Sequence, residues 1–182
     1  MLKNKVTIII PVFNEKNNID KIIKKVKKDV YFKKQIIVVD DCSSDGTRKV
    51  IKKIKNIDKK IFQKKNLGKG AAIKSAVPYI KGNIVAIQDA DLEYNPKDLN
   101  KLIKILKKKK LNVVYGSRVL KKGRYNHNEF LSNFRIFGNH VLTLISNFIN
   151  RQKLTDAHTC YKIFKSDIFL NLNLQENDFA FC

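Results

Sequence analysis

The sequence predicts an α/β fold, a mostly parallel central sheet flanked by helices. Two observations carry the prediction. Apolar runs of strand length alternate four times in succession with longer segments of helical period, and the residues just after each run are polar or charged. Parallel strands need a crossover that returns along a face of the sheet, and a helix supplies it. In open sheets of this kind ligands bind outside the carboxyl ends of the strands, so the second observation points to one shared site.

The strand candidates are Val6–Val12, Gln35–Asp40, Lys59–Gln63, Ile84–Gln88 and Val113–Ser117. Most are short runs rich in Val and Ile, as buried parallel strands are. The intervening helices are expected at Asn17–Lys28, Thr47–Lys55, Gly70–Ile80 and Pro96–Lys109. Apolar residues recur through them at helical spacing, and Pro96 stands where a helix start tolerates proline. After Ser117 the pattern changes to a polar loop, and Phe130–Asn150 then reads as one long amphipathic helix with apolar residues on more than one side. No repeat or low-complexity linker divides the chain, which predicts a single domain over residues 1–182.

With 182 residues and 43% apolar content, the chain can bury a core and is not a disordered tail. The formal charge of +22 raises nucleic acid or an anionic membrane as partners. The charge is carried by 33 Lys against five Arg, spread over every helix-like segment, and no nucleic-acid partner is expected from that distribution. Cys42, Cys160 and Cys182 lack the spacing of a zinc site or a disulfide framework, which fits a reduced, cytoplasmic compartment. The first apolar run is too short for a signal peptide, and none reaches the roughly 18 to 20 residues that span a bilayer.

The strongest chemical signal is Asp89-Ala90-Asp91, directly after the run Ile84–Gln88. Two carboxylates one small residue apart, at a strand end, can hold a hard cation and leave the rest of its shell to water and phosphate oxygens. Asp40 to Thr47 closes the second strand and opens a helix that Asp45 or Ser44 can cap. Asp41, at the strand end, can accept a hydrogen bond from a nucleotide base. Asn66-Leu67-Gly68-Lys69-Gly70 has neither P-loop nor dinucleotide spacing. Its glycines either ease a turn or, with Lys69, present a helix N-terminus to phosphate.

Taken together, Pro11-Val12-Phe13-Asn14-Glu15, Val39 to Thr47, Asn66 to Gly70, Asp89-Ala90-Asp91-Leu92 and Gly116-Ser117-Arg118 resemble glycosyltransferase family 2, of the GT-A fold, and within it the dolichyl-phosphate mannose synthase-like branch. The resemblance implies a nucleotide-sugar donor bordered by Pro11, Phe13, Glu15, Asp41, Lys69, Asp89 and Ala90. It also implies Mg2+ or Mn2+ on Asp89 and Asp91, with Asp91 central to catalysis. Glu93 stands where this branch often carries a metal-supporting Gln, and is a third candidate ligand. Thr155 to Lys162 resembles a family segment placing Asp156 and Lys162 beside the acceptor, with Ser117 nearby. Cys160 reads as a small packing residue, and His158 is undecided between surface and site.

A sugar hydroxyl needs a general base to become a nucleophile, whereas a phosphate monoester is already largely ionised at neutral pH. No carboxylate follows the Asp-x-Asp in the pattern of a base, but Arg118, Arg124 and Arg135 fall within 18 residues. In a chain that otherwise uses Lys, such a cluster suits forked recognition of phosphate. By resemblance Arg118 and Arg135 grip an acceptor phosphate, so the expected acceptor is a polyprenyl phosphate used in cell-envelope glycan synthesis. The expected reaction is one inverting displacement, on a protein held peripherally at the inner membrane face by Phe130–Asn150. The chain ends on the apolar run Phe179-Ala180-Phe181-Cys182 where relatives continue, which predicts C-terminal truncation and association with a membrane, another subunit or itself. Two other readings follow: a truncated nucleotide-sugar-binding module without turnover, and a basic protein bound to membrane or nucleic acid.

Overall fold

The computed structural model describes residues 2–117, 130–157 and 159–177, with side chains from residue 5 and, in the helix beginning at Phe130, from residue 138. The strands are β1 (Leu2–Val12), β2 (Lys33–Asp40), β3 (Lys59–Phe62), β4 (Gly82–Ile87), β5 (Val113–Tyr115) and β6 (Lys162–Lys165). The helices are α1 (Ile19–Asp29), α2 (Thr47–Lys53), α3 (Lys69–Ala76), α4 (Lys97–Lys108), α5 (Phe130–Ile149) and α6 (Ser166–Leu170). The strands form one sheet in the order β3-β2-β1-β4-β6-β5. β3, β2, β1 and β4 run parallel, and β6 pairs antiparallel with both β4 and β5.

Alternation along each strand divides the core. Ile8 and Ile10 of β1 face α1, α2 and α4, whereas Ile9 faces α3 and α6. α1 meets the sheet through Ile19, Ile22, Ile23 and Val26, an i, i+3, i+4, i+7 stripe, while its lysines lie on the rest of the helix. α3 packs closely because its contact residues are Gly70, Ala72, Ile73 and Ala76, three of them small.

Every predicted strand and helix is present, with shifted ends. β1, β2 and β4 begin earlier than their apolar runs, because pairing with neighbours extends β1 and β2 into lysine-containing sequence and β4 back to Gly82. The helix expected to reach Ile80 stops at Ala76 and passes into a 3₁₀ turn, Val77–Tyr79, where Pro78 lacks the N–H that an α-helix would need. β5 ends at Tyr115, short of Ser117. β6 and α6 were not predicted.

The strand order fixes where a ligand can sit. The chain leaves β1 toward β2 and β3, then returns to place β4 on the other side of β1. The crevice at the carboxyl ends of β1 and β4 is therefore the topological switch point of the parallel part.

Candidate active site

Two loops leave that crevice and are tied together. After β1, Asn14 adopts a left-handed φ of 55°, tolerable for Asn. The N–H groups of Asn14, Glu15 and Lys16 donate to Ser43 Oγ (2.9 Å), Thr47 Oγ1 (2.8 Å) and Asp45 Oδ2 (3.1 Å). Asn14 Oδ1 in return accepts from Ser44 N at 2.9 Å. The Ser, Asp and Thr of segment 43–47 thus hold the loop that carries Phe13 and Glu15. Asp45 Oδ1 also accepts from Thr47 N (2.9 Å) and Thr47 Oγ1 (2.6 Å) and so fixes the turn into α2, but the N-cap position is Gly46, not the Asp45 or Ser44 expected. Slight burial pushes the Asp45 carboxyl up, but the Thr47 hydroxyl and the N–H groups of Thr47 and Lys16 outweigh it and hold it below the usual carboxylate range.

Asp41 is buried, and its two oxygens accept from Leu67 N (2.9 Å) and Gly68 N (2.8 Å). It anchors the turn before α3, at a separation of 26 and 27 residues. Just inside α3, Ala72 N donates to Gly68 O at 3.0 Å, and Ala71 N to Asn177 O at 2.9 Å. The positive charge this turn offers the crevice is the Lys69 ammonium, which lies 2.6 Å from Asp89 Oδ1 with both side chains mostly buried.

The loop after β4 carries Asp89, Asp91 and Glu93. Asp91 Oδ1 accepts from Glu93 N at 2.9 Å, and Leu92 between them has φ of 66°. Around these loops lies a cavity of about 330 Å³ lined by Pro11, Phe13, Glu15, Asp41, Lys69, Asp89, Ala90, Asp91 and Glu93, together with Val12, Asn66, Ala72 and Cys160. The residues named from sequence for donor and metal thus share one wall system. Phe13 is 47% exposed at its mouth, a flat apolar face suited to a ring.

The acceptor-side residues are less gathered. Ser117 lines a second cavity of about 380 Å³ with Tyr94, Tyr115 and Tyr161. Lys162 is buried in β6 with Nζ 5.3 Å from the Tyr115 ring centre, and Asp156 is buried and accepts from Asn139 Nδ2 at 3.2 Å. Arg118, Arg124 and His158, and the side chain of Arg135, lie outside the described residues. Reading the sequence missed Gln88, Tyr94 and Tyr161, which support the carboxylate loop from below.

The donor set fits a hard divalent cation, since the cavity presents carboxylate oxygens. Among the described residues no three His, Cys, Asp or Glu side chains converge tightly enough to enclose an ion. A cation here would rest on one or two of Asp89, Asp91 and Glu93, leaving positions for phosphate and water, as Mg2+-type sites do.

Residues 7–172 match the profile of glycosyl transferase family 2. The chain is 30% identical over 93% of its length to a dolichyl-phosphate beta-glucosyltransferase, ALG5D, of Trichomonas vaginalis, and spans 57% of that relative. It is also 30% identical over 90% of its length to the uncharacterized protein MJ0544 of Methanocaldococcus jannaschii, spanning 73% of it. Among solved structures it resembles the mannosyltransferase PcManGT from Pyrobaculum calidifontis, determined with GDP-Man and Mn2+, at a TM-score of 0.55 and 27% identity over 64% of this chain and 36% of that one. Glucosyl-3-phosphoglycerate synthase from Mycobacterium tuberculosis, determined with Mn2+, UDP and glucosyl-3-phosphoglycerate, matches 91% of this chain and 58% of its own at a TM-score of 0.66 and 17% identity, a likeness of fold. The fold is GT-A, and with a family match over most of its length the chain belongs to glycosyl transferase family 2.

Proposed function

We propose that residues 1–182 form one catalytic domain that moves a hexose from a UDP- or GDP-linked sugar to a polyprenyl phosphate, with inversion and with Mg2+ or Mn2+. The observation that carries this reading is the cavity at the switch point, where Asp89 and Asp91 face Lys69, Asp41, Glu15 and Phe13. In this reading Phe13 and Asp41 border the nucleotide, Lys69 meets the diphosphate, and Asp89 and Asp91 hold the cation with Glu93 beside them. A bound divalent cation offsets the charge that develops on the departing diphosphate. The acceptor's phosphate oxygen forms the new bond to the anomeric carbon as the bond from that carbon to the diphosphate oxygen breaks. No proton has to be removed from the nucleophile, because the monoester is already ionised.

Arg118, Arg124 and Arg135, with Ser117, Asp156 and Lys162, are the proposed acceptor side. The lipid acceptor draws further support from the relative named for dolichyl phosphate and from the apolar face of α5, where Leu144, Phe148 and Ile149 are more than half exposed. Among the described residues no helix is long and apolar enough to cross a membrane. In this reading α5 makes a peripheral contact with the cytoplasmic leaflet.

The test is release of nucleoside diphosphate from a panel of UDP- and GDP-sugars, with and without cation and a short polyprenyl phosphate. Release that needs both supports the proposal. Asp91→Asn keeps the oxygen that accepts from Glu93 N but loses the charge, so the fold should persist while turnover falls about a hundredfold or more. Normal turnover in that variant would remove Asp91 from its assigned role. Cation-dependent nucleotide binding without release would favour a binding module.

A further inference from the structure

Beneath the carboxylate loop lies a buried polar network that the proposed reaction does not itself require. Gln88 is fully buried at the end of β4, and its amide N–H groups donate to the carbonyls of Asp89 (3.0 Å) and Tyr94 (3.3 Å), the two ends of the loop. Its Oε1 accepts from the Tyr161 hydroxyl at 2.6 Å, across 73 residues of sequence. The Tyr161 and Tyr94 rings are 4.6 Å apart, and the Tyr94 hydroxyl accepts from Cys160 N at 3.3 Å. Burying such a network costs desolvation that an apolar trio would avoid, so its retention calls for a positional reason. The loop it closes is strained: Leu92 is held at φ 66°, a region that bulky L-residues avoid. Strain of this kind persists only where the surroundings over-determine the backbone.

We infer that Gln88 and Tyr161 are positioning residues which clamp the loop 89–94 and so set the spacing of the Asp89 and Asp91 carboxylates. Neither lines the donor cavity, and both act through the loop. The clamp joins the donor side to the segment entering β6, because Cys160 lines the cavity while its N–H holds Tyr94. The functional consequence rests on the transferase reading; the structural one does not.

Tyr161→Phe keeps the ring stack and removes the hydroxyl, and Gln88→Leu removes both ends of the clamp. Hydrogen exchange over residues 88–94 should quicken in each variant, while exchange in β1 and β2 stays at the wild-type rate. Affinity for Mn2+ with UDP or GDP should weaken about tenfold, the equivalent of one net buried hydrogen bond. Because Tyr161 acts through Gln88, the double variant should be no worse than Gln88→Leu alone. Unchanged exchange and affinity in Tyr161→Phe, or additive losses in the double variant, would overturn the clamp. A wild-type chain that binds no nucleotide would instead overturn the transferase reading, and the exchange comparison would still decide the clamp.

Discussion

Lys69 and Asp89 face each other at 2.6 Å in the cavity that is proposed to hold both cation and diphosphate. A cation arriving alone must displace the ammonium from one Asp89 oxygen, whereas a donor diphosphate gives that ammonium a new partner. Lys69→Met should therefore raise the affinity of the nucleotide-free protein for Mn2+ several-fold, and lower its affinity for UDP or GDP about tenfold through loss of one charged hydrogen bond. Calorimetric titration of each ligand alone checks both halves, and a weaker Mn2+ affinity in the variant would show that Lys69 does not compete. Asp45 supports a pH prediction. Its folded carboxyl titrates below its unfolded value, so the stability it contributes is complete above about pH 3.9 and is lost as pH falls through the lower folded value. Asp45→Asn should flatten that part of the acid limb in urea melts taken between pH 5 and 2. Since Asp45 is exposed, the change is expected to be small.

At the scale of elements, the N-terminus of α3 is tied to the far end of the described chain. Asn177 O accepts from Ala71 N, Gln175 O accepts from Lys74 Nζ at 3.0 Å, and a Cβ on Gly70 would stand 2.3 Å from Glu176 O. Gly70→Ala must push that strand of backbone away, at about 1 to 3 kcal/mol. The expected reading is a melting temperature lower by several degrees, with lost exchange protection at Ala71; an unchanged melt would mean that segment 175–177 is not seated there. Such ties explain which elements could be read from sequence. The parallel strands and their helices were legible because Val and Ile runs, and stripes such as Ile19, Ile22, Ile23 and Val26, carry their own period. β6 was not, because its four residues begin at a buried lysine, Lys162, and its place between β4 and β5 is set by partners nearly 50 or more residues away. That Glu15, Asp41, Lys69, Asp89 and Asp91 would line one cavity was legible through the strand-end rule. Asp41 holding Leu67 and Gly68, Lys69 on Asp89, and Tyr161 under Gln88 were not, since each joins segments whose adjacency only the strand order creates.

At the scale of the whole molecule, the proposed membrane contact would draw on both the charge of +22 and the exposed face of α5. Val141, Leu144, Ile145 and Phe148 recur at i, i+3, i+4 and i+7, and all are exposed, Phe148 by 88%. The helix is held from its other side, where Asn139 donates to Asp156, the Thr143 hydroxyl accepts from Ala157 N, and Asn147 exchanges hydrogen bonds with Leu154. An apolar stripe alone would bind neutral and anionic bilayers alike; lysines near a surface add about 1 kcal/mol each only when the surface is anionic. The chain should therefore sediment with vesicles containing phosphatidylglycerol or phosphatidylserine at low salt, weakly with pure phosphatidylcholine, and less with the anionic vesicles as salt shortens the Debye length. Burying a large apolar side chain is worth roughly 1.5 to 3 kcal/mol, so Phe148→Ser should reduce partitioning about tenfold or more, and Leu144→Ser should act in the same direction. Both substitutions lie on the exposed face and should leave the melting temperature unchanged. If partitioning survives them, the lysines alone carry the attraction and α5 does not enter the bilayer; if it is equal on neutral and anionic vesicles, the charge takes no part.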